Sequence, residues 1–233
     1  IGAIISKIKK IPLVISDEGG LTTHPDLKKD FSSKVLYKLQ TPIVKFIINQ
    51  SSAVIAANEY EKKIFSEFCE ESKIVIVRNG VDLDILNTEK ISIKKKYKMD
   101  SFILFLGRFN RVKGIDVLIN AINSIKNHSK FEKTQLLIMG VDFGYEDEML
   151  QLIDEYGLQN KIKVVKNPSR KEVISAYDES EFLVLPSRWE LSPLTPLEGF
   201  TFKKAVISSN VHGIPYTVTH NVNGILVEPE NHK

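Results

Sequence analysis

The sequence predicts an α/β fold built on mostly parallel sheets. Three observations predict it. Short apolar runs, each ending in turn-forming residues, recur along the chain. Between them lie stretches with apolar residues at helical spacing. From Phe102 onward the two kinds alternate regularly, as strand–helix–strand units do when helices cover both faces of a sheet.

Residues 11–16 read as a buried strand, 17–20 as a turn and 21–30 as a loop. Residues 33–40 read as a helix. Thr41 and Pro42 then read as the N-cap and first residue of a second helix running to Asn49. Strands follow at 52–57 and 73–77, with a helix at 59–68 between them and a turn at Asn79-Gly80. Composition shifts at residues 88–100, where Lys94, Lys95, Lys96 and Lys98 cluster. A linker at 86–98 would divide a domain at 1–88 from one at 89–233. The second part has strands at 102–106, 135–139, 162–165, 182–185, 205–208 and 224–227. Its helices fall at 114–126, 145–156, 170–177 and 194–202. In the first of these, Ile115, Leu118, Ile119, Ile122 and Ile125 line one face.

With 233 residues, 42% of them apolar and 26% charged, the chain is an ordinary globular protein of one large or two average domains. A net charge of +3 does not point to nucleic acid, which calls for a concentrated basic patch. Cys69 stands alone, so an intramolecular disulfide is excluded and a reduced, intracellular setting is expected. No apolar run approaches the ~20 residues that span a bilayer. The apolar residues of the first five positions precede lysines, the reverse of a signal peptide. A start at Ile1 and a stop just after a strand-like run read as truncation at both ends.

Two stretches carry chemistry. Gly107 to Gly114 joins a strand to a helix and sets Arg108, Arg111 and Lys113 beside a helix N-terminus, where free N–H groups already favour anions. The spacing is not that of a P-loop. Residues 188–200 follow a later strand and hold Glu190 and Glu198. Glu198 also fits a capping box, with Thr195 as N-cap and Pro196 first; a rival register caps with Ser192 and starts at Pro193. Glu190 precedes the helix in either register.

Taken together, the two stretches resemble retaining glycosyltransferases of the family-4 type, which have the GT-B fold. Smaller pieces agree: residues 52–57 with Glu59, the Asn79-Gly80-Val81-Asp82 turn, Gly213-Ile214-Pro215, and residues 223–227. The resemblance runs from about Ile11 to the end. It implies two Rossmann-like domains across a cleft, the N-terminal one incomplete, with an NDP-sugar donor mainly on the C-terminal one. Arg108 and Lys113 would hold the diphosphate beside Gly107. Glu190 would contact the donor sugar and Glu198 the ribose. Backbone N–H groups at Ser192, Leu194 and Thr195 would face sugar and phosphate. Glu190, Arg108 and Lys113 form the implied catalytic set, with no metal and no cofactor besides the donor.

The implied reaction is hexosyl transfer with retention to an acceptor sugar, lipid-linked glycan or other hydroxyl compound. This chain alone is expected to be poorly active. Alternatives are a non-catalytic nucleotide-sugar-binding module and a GT-B nucleotide-sugar epimerase. Pro193 stands where the family commonly has glycine, and Tyr216 where it often has glutamate. Residues 17–19 lack a family histidine, which leaves Glu18 and His24 as acceptor-side candidates. Lys34, Lys38 and Lys45 would share a face if their helices were continuous, either as a solvated face or as a peripheral membrane contact. The expected location is cytoplasmic, including the inner membrane surface.

Overall fold

The computed structural model describes residues 2–16 and 31–231. Glu18 and His24 lie outside the described residues. The chain forms two compact units, Ile1–Asn79 and Gly80–Lys233.

The first unit runs α1 (Gly2–Lys9), β1 (Val14–Ser16), α2 (Phe31–Gln50), β2 (Ala53–Ala56), α3 (Glu59–Ser66) and β3 (Ile74–Ile76). Its strands pair in parallel in the order β1-β2-β3. Val54, Ala56 and Ile74 from the sheet pack with Ile48, Phe65 and Phe68 to form its core. Asn58 starts α3 by accepting from the N–H of Glu61, while Glu61 accepts from the N–H of Ala57. One unpaired donor of the first turn and the N–H just before the cap are thus both satisfied.

One expectation fails here. The sequence reads as two helices meeting at Thr41-Pro42, yet α2 is continuous, with Pro42 inside it. Thr41 does not cap. Its hydroxyl donates to the carbonyl of Tyr37, 2.8 Å away, which is how a threonine behaves within a helix. Interior proline costs about 3 kcal/mol in an isolated helix. Here Val44 and Ile48 hold the C-terminal half on the sheet core. Continuity puts Lys34, Lys38 and Lys45 in one exposed stripe. On another exposed side stand Phe31, Val35, Leu39, Ile43 and Phe46. Among the described residues no helix is long and apolar enough to cross a membrane.

The second unit begins with α4 (Ile93–Tyr97) and continues through β4 (Ser101–Leu106), α5 (Ile115–Ile125), β5 (Thr134–Gly140), α6 (Glu146–Glu155), β6 (Ile162–Lys166), α7 (Arg170–Glu179), β7 (Leu183–Leu185), α8 (Leu194–Thr201), β8 (Val206–Ser209) and β9 (Gly224–Val227). Its six strands are all parallel, ordered β6-β5-β4-β7-β8-β9. Alternate residues of β4 serve opposite faces, as the two-residue period of a strand requires. Phe102 and Leu104 join a core with Ile174 and Tyr177 of α7. Ile103 and Phe105 join another with Ile119 of α5 and Met149 of α6. On α5 the buried set is Ile115, Val117, Leu118, Ile119 and Ile122; Ile125, at the helix end, is exposed.

Segment 86–98, expected as a linker, is docked on this unit. Ser92 caps α4, and Ile93 is fully buried in the core. The N–H of Ile91 donates to Ser175 and that of Lys94 to Glu179, both on α7. Lys96 and Tyr97 donate to Glu172, and these bonds hold its carboxyl down at about 2. The lysines advertise solvent, but Ile93 is buried and Ile91 packs partly buried against the same core.

Candidate functional site

The strand order places a topological switch point between β4 and β7. The chain leaves β4 toward β5 and β6 on one side, then crosses back to lay down β7 on the other. Ligands of open α/β sheets bind beyond the strand C-termini at such a point. Both chemistry-bearing stretches emerge there, one after β4 and one after β7.

Glycine makes their contact possible. Gly114 has φ +67°, and a Cβ on it would lie 2.0 Å from the carbonyl oxygen of Pro186. Only glycine lets the β4 loop touch the end of β7 so closely. Asn110 shapes the turn before it by accepting from the N–H of Val112 at 2.8 Å. The N–H of Arg188 donates to the carbonyl of Val112 at 2.8 Å.

This apposition brings Lys113 to Glu190, with Nζ 2.6 Å from Oε1. Ser187, fully buried, donates to the same oxygen at 2.9 Å. Glu190 is 7% exposed, and its own carbonyl accepts from the N–H of Gly213. Burying a carboxylate demands a partner of opposite charge, and Lys113 supplies it.

The other cations are placed differently. Arg108 is exposed and lays its guanidinium over the Phe143 ring, 5.1 Å from its centroid. Arg111 pairs with Glu148 at the start of α6. Arg188 was not singled out as a site residue, yet it has the densest contacts of the group. It binds Asp116 at 2.8 and 2.7 Å, the carbonyl of Arg111 at 2.6 Å, and Glu230 at 2.5 and 2.8 Å. Burial pushes the Asp116 carboxyl up, but the hydrogen bonds and charge of Arg188 outweigh it and hold it below its ordinary value.

Neither capping register read from the sequence occurs. Leu194 is the first residue of α8, and Pro193 stands before it with no side-chain cap. Thr195 instead directs its hydroxyl to the carbonyl of Leu106, 3.5 Å away at the end of β4. Glu198 lies beyond the first turn. It accepts from the Tyr177 hydroxyl at 2.7 Å and from Arg170 at 3.2 Å. Tyr177 is buried, and its hydroxyl donates to Glu198; burial, then Glu198, raise the tyrosine pKa well above its ordinary value, against a smaller opposing hydrogen bond from Thr195. The structure therefore joins Lys113 to Glu190 and sets Thr195 beside Gly107. Glu198 sits with Arg170 and Tyr177, and Arg108 with Phe143.

A model of the family "Glycosyl transferases group 1" matches residues 87–233, more than half of the chain. The chain belongs to that family. An uncharacterized glycosyltransferase of Methanocaldococcus jannaschii is 28% identical over 234 residues, covering 99% of this chain and 58% of that protein. Among solved structures, HepE of Anabaena in complex with UDP and glucose aligns with TM-score 0.81 at 21% identity, covering 99% of this chain and 61% of its own. Sucrose-phosphate synthase of Thermosynechococcus elongatus aligns with TM-score 0.77 at 18% identity, covering 99% and 59%. The chain thus spans about three-fifths of the length of these proteins. Its fold is the parallel-sheet α/β architecture of the GT-B glycosyltransferases.

Proposed function

We propose that this chain carries the donor-binding part of an enzyme that moves a hexosyl group from an NDP-sugar to an acceptor hydroxyl, with retention and without a metal. The observation that carries the reading is the Lys113–Glu190 pair at the β4/β7 switch point. A cation and a carboxylate held there match the two ends of an NDP-sugar: a diphosphate that needs positive charge, and hydroxyls that need acceptors. A structural relative crystallised with UDP and glucose supports the same ligand class.

On this reading the donor opens the pair. The diphosphate takes over Lys113, and the sugar hydroxyls take over Glu190. Arg108 swings from Phe143 to the phosphates. Lys113 and Arg108 then stabilise the charge that grows on the departing nucleotide, an effect worth most where water is excluded. Glu198 receives the ribose hydroxyls beside Arg170. N–H groups of Ser192, Leu194 and Thr195 face the phosphate and sugar; Pro193 offers none. Acceptor contacts are assigned to Glu18, His24 and the remainder of a longer protein, so this chain alone would turn over slowly.

The test uses the full-length protein with UDP-, GDP- and ADP-hexoses, scoring transfer or slow donor hydrolysis by NMR with and without EDTA. Transfer with the anomeric configuration kept, unchanged by EDTA, is expected. Binding without transfer or hydrolysis would favour a non-catalytic module, and sugar epimerisation would favour an epimerase. We further propose that α2 makes the peripheral membrane contact, because its lysine stripe and exposed apolar side match an anionic bilayer surface. Vesicles of phosphatidylglycerol should co-sediment the full-length protein and vesicles of phosphatidylcholine should not. Equal binding to both, or to neither, would end that proposal.

A further inference from the structure

We infer that Arg188 is a positioning residue that sets the spacing between the phosphate-binding and sugar-binding loops of the donor site; the inference rests on the reading above. Arginine carries five N–H donors in a rigid planar fork. All five are engaged here. Nε and one Nη2 hydrogen go to Glu230, the other Nη2 and one Nη1 hydrogen to Asp116, and the last to the carbonyl of Arg111. Two carboxylates more than neutralise the guanidinium. A residue so occupied has neither a donor nor net charge left for a phosphate, so it is not a ligand of the donor.

Its partners show what it does. Arg111, on the β4–α5 connection, and Asp116, in the first turn of α5, flank Lys113. Glu190 lies two residues beyond Arg188 itself. The main-chain N–H of Arg188 adds a further tie, to the carbonyl of Val112. Arg188 therefore grips the loop on both sides of Lys113 and holds it against the loop that carries Glu190. Glu230, after β9, braces the fork from a third segment. Lysine would keep the charge but has three donors at one point and no plane, so it could not span three acceptors in three directions.

The consequence is specific. A nucleoside diphosphate meets the Lys113 loop and α8, which is held through Thr195 on Leu106 and Glu198 on Tyr177 rather than through Arg188, whereas an NDP-sugar must meet Lys113 and Glu190 together. Loosening the clamp leaves the first contact intact and misplaces the second. The test measures dissociation constants of UDP and UDP-glucose (or the GDP or ADP pair, if the donor panel selects it) for the full-length protein and for Arg188→Gln and Arg188→Lys. Both variants are expected to bind UDP within about twofold of wild type, while the affinity of UDP-glucose relative to UDP falls about tenfold, the worth of one well-aligned hydrogen bond to a charged group. If Arg188→Gln does not fold, Asp116→Asn and Glu230→Gln, each removing one arm, are read the same way. Equal weakening of both ligands would show a merely structural role and overturn the inference, as would an unchanged ratio. A wild-type protein that binds no NDP-sugar would sink the parent reading, and this inference with it.

Discussion

Lys113→Ala is expected to weaken binding of a nucleoside diphosphate by about 10- to 100-fold, the loss of a charge-assisted contact to phosphate. It should also destabilise the protein. Glu190 would remain buried with Ser187 as its hydrogen-bond donor but no cation. Stripping one partner from a fully buried ion pair costs about 3–5 kcal/mol. The Lys113 side chain is 23% exposed, so water relieves part of this, and about 2 kcal/mol is the better expectation. Adding Glu190→Gln separates the two effects, because it removes the orphaned charge without restoring the phosphate contact. Calorimetric titration and urea unfolding should show stability recovering in the double variant while affinity stays low. Unchanged affinity in Lys113→Ala would refute its assignment to the diphosphate.

Gly114→Ala is the larger structural insult. A methyl group there would lie 2.0 Å from a backbone oxygen, which cannot rotate away as a side chain would. The left-handed conformation alone costs an alanine about 1–2 kcal/mol. The clash must then be relieved by parting the β4 loop from β7, which also parts Lys113 from Glu190. A destabilisation above about 3 kcal/mol is expected, with nucleotide affinity lost in what remains folded. Gly157→Ala is the matched comparison: φ is +61°, but nothing lies within 4 Å of the new Cβ. Urea unfolding of the two variants isolates the clash, and equal costs would show that the Pro186 contact is unimportant.

The second unit was legible in the sequence because its strands are apolar runs and its helices have one apolar face. Both signals are local, and the fold agrees with them from β4 to β9. Lys113 and Glu190 were legible as types at loop positions after strands. Their direct pairing was not, since nothing local ties residues 77 positions apart. Arg188 was overlooked for the same reason: its importance lies in partners at positions 111, 116 and 230. The two misread capping registers and the split in α2 share another cause. A hydroxyl residue before proline looks like a helix start, but Thr195 donates to the carbonyl of Leu106 and Thr41 to that of Tyr37, contacts that tertiary packing and the continuous helix supply and local sequence does not show. The lysine-rich segment at 86–98 misled by average composition, which hid the buried Ile93.

The strand order has a mechanical side. β4 and β5 run in register over six residue pairs, from Ser101 to Leu106. Between β4 and β7, Leu104 stands opposite Leu183, and the N–H groups of Leu104 and Glu181 donate to the carbonyls of Phe182 and Phe102. The sheet is therefore two three-stranded halves that meet along the β4–β7 seam. Above that seam, Gly114 against Pro186, Lys113 on Glu190 and the Arg188 fork work as a buckle at its upper end. A ligand seated across the buckle fastens both halves at once. Its binding free energy then stabilises the whole unit against opening, rather than one loop alone.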